Sequence, residues 1–134
     1  MSYTVFAFDK NKIDLERIHT LLQPAVKESD RFAARPRLVL SDDGDELVLD
    51  LDGWQVVLGV NASGYVAAET QELVKHLPQD KDKLEAVRGS TERLEIISDE
   101  DYDEQHYDDY LLFLEEFEKV TGMVVVDPRE WNYT

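Results

Sequence analysis

Arg37-Leu38-Val39-Leu40-Ser41-Asp42-Asp43-Gly44-Asp45-Glu46-Leu47-Val48-Leu49-Asp50-Leu51-Asp52-Gly53-Trp54-Gln55-Val56-Val57-Leu58-Gly59-Val60 is the stretch that decides the fold. Leu47, Leu49 and Leu51 alternate with Val48, Asp50 and Asp52. Successive strand residues point to opposite faces, so the three leucines share one face. Asp52-Gly53 is a strong two-residue hairpin signal, because a type I′ turn needs positive φ at both positions. Trp54, Val56, Leu58 and Val60 then return on the next strand, and Ser41 to Asp45 supplies the turn formers for an earlier hairpin. Residues 37–60 are therefore predicted to form a three-stranded antiparallel meander.

Upstream, the aromatic and β-branched run from Tyr3 to Phe8 suits a buried first strand. Leu15, Ile18 and Leu22 then fall on one helical face. Pro24 lacks an N–H and crowds the carbonyl four residues back, so a kink or restart is expected there, with the second piece running to about Phe32. Downstream, Asn61-Ala62-Ser63 offers caps for a helix that carries Val66, Thr70, Leu73, Val74 and Leu77, and Pro78 stops it. Asp80 caps a short helix through Val87 that Gly89 ends. Arg93 to Ser98 reads as a strand, and Tyr107, Tyr110, Leu111, Leu114 and Phe117 form a helical stripe closed by Gly122. Met123 to Val126 is a final short strand before Asp127-Pro128. Strand, loop, helix and strand in that order have the spacing of a β-α-β unit, whose strands would run parallel through a right-handed crossover. With no repeat and no linker, the expectation is one α+β domain over residues 1–134. It would have a mixed sheet, the central antiparallel meander, helices packed on it and a C-terminal β-α-β unit.

At 134 residues the chain can bury roughly two-thirds of its unfolded surface. Its 43% apolar content excludes wholesale disorder despite 33% charged residues. The absence of Cys removes disulfides, thiolate metal sites and a thiol nucleophile. Met1 to Asp9 has no basic region and too short an apolar run for a signal peptide, and no apolar segment approaches bilayer length. A soluble, cytoplasmic protein is expected.

The net charge of −16 is concentrated in two blocks. Residues 41–60 carry six acids and no base, and residues 94–134 carry thirteen acids and two bases. The densest part is Ser98 to Tyr110, with seven carboxylates and three tyrosines and no Lys or Arg. Such a surface repels nucleic acid and anionic membrane and attracts a cationic partner or a metal ion. The helix that follows accounts for some of these acids, since carboxylates near a helix N-terminus are favoured by about 0.3–1 kcal/mol each. That effect covers Asp103, Glu104, Asp108 and Asp109, not all seven.

Asp99, Asp101 and Asp103 imitate the start of a calcium-binding EF loop. Glu104 stands where that loop needs Gly, however, and Tyr110 stands where it needs a bidentate Glu. Asp103, His106 and Asp109, spaced three apart, are an alternative site for a divalent metal ion, or for a metal-dependent enzyme. His19, His76 and His106 fall on three different predicted helices, and no nucleophile elbow, phosphate loop or dinucleotide fingerprint is present. The glycines around Asn61 read as a tight strand-to-helix turn. No cofactor is implied, and the oligomeric state is left open. A mimic of duplex DNA would need carboxylates spaced like phosphates along a long face, which one compact loop does not supply.

Protein binding remains. Rings interleaved with acids suit a surface aimed at Arg or Lys. Tyr107 and Tyr110 lie on the helix stripe and are read as core-edge residues, while Tyr102 lies off it and is the exposed ring. Trp131 and Tyr133 are expected to fold back as a flap over the sheet. The partner-binding residues expected are Asp99, Glu100, Asp101, Tyr102, Asp103 and Glu104 in the loop, with Asp42, Asp43 and Asp45, beside Glu46, in the hairpin. They would face one basic protein.

Leu94 to Asp103, His106 to Leu114 and Thr121 to Pro128 together resemble the closing segment of small acidic α+β immunity proteins from bacterial polymorphic or contact-delivered toxin systems. An acidic loop, an aromatic-rich helix and a Gly-hydrophobic-Asp-Pro ending carry the resemblance, over about the last 40 residues. It implies a non-enzymatic cytoplasmic antidote that occludes a cognate toxin, often a basic nuclease. Such families share no invariant binding residues, so the resemblance assigns none here.

Overall fold

The computed structural model describes residues 1–134. Its strands are β1 (Thr4–Phe8), β2 (Pro36–Leu40), β3 (Glu46–Leu51), β4 (Trp54–Asn61), β5 (Arg93–Ser98), β6 (Val124–Asp127) and β7 (Asn132–Tyr133). The helices are α1 (Leu15–Glu28), α2 (Val66–His76), α3 (Lys81–Val87) and α4 (Tyr107–Thr121). One sheet of order β2-β3-β4-β5-β1-β6-β7 holds all seven strands.

The meander is as the alternation predicts. Leu47, Leu49 and Leu51 are wholly buried, and the turn between β3 and β4 has Asp52 at φ 54° and Gly53 at φ 95°. The Gly53 N–H donates to Asp50 Oδ1 at 2.7 Å, which locks that turn.

The sheet is antiparallel throughout, not mixed. β5 and β6 do run in the same direction, as a β-α-β unit requires. They are not neighbours, because β1 lies between them and pairs antiparallel with both. β1 is apolar on both faces, and between β5 and β6 both find cover: Val5 and Ala7 in the core under α1 and α4, Phe6 and Phe8 against α2 and α3.

α1 also departs from expectation. Asp14 caps it by accepting from the Glu16 and Arg17 amides, and it continues unbroken past Pro24 to Glu28. The missing bond falls opposite Thr20, on the exposed side, where water can satisfy the carbonyl. Leu22 and Val26, buried on either side of Pro24, hold both halves in the core. The helix stops at Glu28 rather than Phe32. Asp80 caps α3 and Gly122 closes α4 in the left-handed region at φ 70°, as the sequence predicts, but α2 starts after Tyr65 with no side-chain cap, because Asn61 Oδ1 accepts from the Ser63 amide inside the preceding turn.

α1 and α4 cover one face of the sheet, enclosing Val5, Leu47, Leu49, Val56, Leu58 and Ile96 among others. α2 and α3 cover the other face over β1, β6 and the start of β5, where Leu73, Leu77, Leu84 and Val87 meet Phe8 and Val126 and Glu69 meets Arg93. β7 was not expected. It carries the tail back so that Tyr133 packs on this cluster and Trp131 sits against His76, the flap anticipated from the sequence.

One buried cation ties α2 to the sheet. Arg93 is 5% exposed, lies 3.8 Å from the Phe6 ring centroid, and reaches Glu69 of α2 and Glu95 of its own strand at 2.8 Å each. Glu69 is half exposed, so removing Arg93 leaves a solvated carboxylate and costs mainly the packing of the guanidinium on Phe6. Arg93→Ala is therefore expected to lower the unfolding free energy by about 1–2 kcal/mol in urea titration. Arg17→Ala, an exposed arginine without an ion pair, should change it by less than about 0.5 kcal/mol.

Candidate functional site: an open sheet face between two acidic ends

The outward residues of the meander line up across the sheet. Val39 pairs with Val48, Val48 with Val57, and Val57 with Ile97, each directly opposite the next. No helix covers this row. Val39 is 46% exposed and Ile97 44%, and Val48 and Val57 between them are half-buried by their neighbours alone.

Acids stand at both ends of this face. At one end is the β2–β3 turn with Asp42, Asp43, Asp45 and Glu46, all exposed. The Asp43 carboxylate accepts from the Ser41 hydroxyl and the Asp45 amide, and those bonds hold it below the usual carboxylate range. At the other end Asp50, Asp52 and Asp99 flank the β3–β4 turn, and Asp99 Oδ2 accepts from the Gln55 amide at 2.9 Å. The hairpin and the 99–104 loop, expected from the sequence to face one partner together, thus do not form one patch. They lie at opposite ends of β3, roughly 17 Å apart, with the valine row between them.

The loop is a built structure rather than a charged tether. Asp101, expected as a partner contact, is 4% exposed and belongs to the interior. Its Oδ2 accepts from the Tyr3 hydroxyl at 2.6 Å, and both oxygens accept from the His106 amide at 3.1 and 3.2 Å. The Trp54 indole N–H donates to the Glu100 carbonyl at 2.9 Å, and its ring stacks on His106 with centroids 4.6 Å apart. Tyr3 in turn touches Trp54, Tyr107 and Tyr110. Held this way, the chain passes through a 3₁₀ turn, Tyr102–Glu104, with Asp103 and Glu104 both at positive φ.

Asp99, Tyr102, Asp103 and Glu104 project outward, Tyr102 at 75% exposure. Glu100 is exposed too and pairs with the N-terminal amine. No arginine or lysine side chain bonds to any loop or hairpin acid. The stripe on α4 is read correctly at Tyr110, but Tyr107 and Leu111 are partly exposed.

The alternative metal triad does not assemble. Asp109 is buried, with Oδ1 on the Ala33 amide at 2.8 Å and Oδ2 on the Ala34 amide at 2.9 Å. Asp103 points to solvent, and His106 is stacked on Trp54. No group of three or more His, Asp or Glu side chains is placed to hold a metal ion. No helix is long and apolar enough to cross a membrane. No family model, curated protein or solved structure matches the chain significantly.

Two predictions separate the structural carboxylates from the surface ones. Asp109→Ala leaves two backbone donors without their charged acceptor and should cost about 2–3 kcal/mol in denaturant titration, whereas Asp103→Ala should stay within about 0.5 kcal/mol. Burial pushes the Tyr3 hydroxyl up, and its hydrogen bond to Asp101 adds to the shift; burial and then Asp127 push Tyr110 up. The folded state thus holds these protons more tightly than the unfolded chain. Their contribution is complete below the ordinary tyrosine value of 10.0 and is lost as pH climbs beyond it. Denaturation midpoints should fall above about pH 10, less steeply in Tyr3→Phe; a wild-type midpoint flat through that range would contradict the assignment.

Proposed function

We propose that this protein is a non-enzymatic acidic binding module that receives a basic protein across the open half of its sheet. The observation that carries the reading is the apolar row Val39–Val48–Val57–Ile97, uncovered by any helix and bracketed by acids that form no ion pair with a Lys or Arg side chain, although Arg37 stands opposite Asp50 at one end. Desolvated apolar centres with polar rims are the anatomy of protein interfaces. Charge at the rim governs encounter rate and excludes wrong partners more than it adds affinity. A cationic partner with a matching apolar strip would bury the valines and meet carboxylates at both ends.

The most concrete form of this reading is a bacterial toxin-neutralising immunity protein acting in the cytoplasm, with a basic toxin as its partner. Support for that finer step comes from the resemblance of residues 94–128 and from the location of the charge. Occlusion needs only a surface, and every outward group described above is a contact rather than a reagent.

Capture on the immobilised protein from native lysate at low salt, followed by purification of the captured chain, supplies the partner for kinetics. Asp42→Lys with Asp45→Lys, and separately Asp103→Lys, should each slow association by about tenfold at low salt and much less at high salt. Val57→Asp should instead speed dissociation. Association rates unchanged in both charge variants would remove the acidic ends from the interface and with them the proposed role.

A further inference from the structure

A second feature lies where the acidic loop meets α4. A groove of about 270 Å³ runs between the start of β1, the outer turns of α4 and the segment after β6. Tyr3, Tyr107 and Tyr110 form its wall, and Leu111, 44% exposed, extends the apolar surface outward. Its volume falls below the roughly 300–1,000 Å³ of sites for drug-sized ligands, and suits one side chain.

Tyr110 is 3% exposed, and its hydroxyl is buried with no hydrogen-bond partner. A buried polar group left unsatisfied disfavours the free state, so a ligand that supplies the missing bond is favoured by the difference. Tyr110 lines the groove together with Tyr3, Tyr107 and Asp127. Asp127 Oδ1 accepts from the Arg129 and Glu130 amides, and Oδ2 makes no hydrogen bond within the chain. Around the groove stand Glu104, Asp127 and Glu130, against Arg129 and the Met1 amine, which is already paired with Glu100.

We infer that this groove receives an arginine side chain of the basic partner, its guanidinium against the Tyr107 ring and its N–H groups donating to Asp127 Oδ2 and the Tyr110 oxygen. With the Met1 amine taken up by Glu100, the three carboxylates outweigh Arg129 and favour a cation over an anion. Guanidinium fits better than ammonium because it is planar, weakly hydrated, stacks on rings and carries five donors in a fork. The inference rests on the reading of the protein as a binder of basic partners. It adds where a single residue of that partner would be selected. Glu104 links the two regions, since it closes the loop whose first acid, Asp99, borders the open sheet face.

The probe is N-acetyl-arginine amide, titrated at low salt while the tyrosine ring resonances are followed by NMR. N-acetyl-citrulline amide, its neutral isostere, and N-acetyl-lysine amide serve as controls. Saturable shifts confined to Tyr3, Tyr107 and Tyr110 are expected, with citrulline at least about tenfold weaker and lysine weaker than arginine. Tyr110→Phe should weaken the arginine probe about threefold or more while raising the melting temperature of the free protein. Equal binding of citrulline or of lysine, or shifts spread over all acidic surfaces, would overturn the inference. If the probe fails here while Asp42→Lys with Asp45→Lys still slows the partner, only this inference falls. If the probe binds while those charge variants leave association untouched, the groove stands and the partner surface does not.

Discussion

A seven-stranded sheet has two faces, and this chain has enough helix for one and a half. α1 and α4 close the first face along its length, while α2 and α3, shorter and joined through Pro78, reach only across β1, β6 and the start of β5 on the second. The remaining half, on β2, β3, β4 and the end of β5, is left to water. These valines and the isoleucine are already half-buried by their neighbours, so covering them would release less than half of the about 1.5–3 kcal/mol that full burial of such a side chain is worth. That unspent driving force is available to whatever docks.

The acidic loop illustrates how a like-charged segment is made to hold a shape. Two of its seven carboxylates are taken inside, Asp101 onto Tyr3 and the His106 amide, and Asp109 onto the amides of Ala33 and Ala34. Charge-assisted bonds of this kind are the strong ones, and each joins segments far apart in the chain. With those anchors in place and Trp54 stacked on His106, the other five acids are displayed from a fixed frame. Local repulsion among them is accepted because the anchors do not depend on them. The partner proposed above would meet an ordered array and avoid part of the ordering cost a floppy loop would impose.

Much of the fold could be read from the chain because its strongest signals are local. The leucine alternation and Asp52-Gly53 specify the meander, and Asp80 and Gly122 mark helix ends through their own chemistry. What escaped was long-range. Pro24 looked like a break, but the burial of Leu22 and Val26 outweighs one missing bond on the solvent side. β1 between β5 and β6 is a pairing that spacing does not reveal. Asn132–Tyr133 is too short to show a period. For the site, composition treats all carboxylates as surface groups, so Asp101 passed for a contact although its partner Tyr3 lies 98 positions away. The bare valines were visible all along as the outward half of the same alternation. Their significance depends on knowing that no helix returns to cover them.

The most direct test of that uncovered face is a solvent paramagnetic relaxation measurement on the methyl groups of the free protein. Val39, Val48, Val57 and Ile97 should relax strongly with a soluble probe, while Leu47, Leu49, Val56 and Leu58 on the opposite face stay protected. Protection of all four outward methyls at dilute concentration would mean that the face is already covered, and the account of what this protein presents to a partner would be wrong.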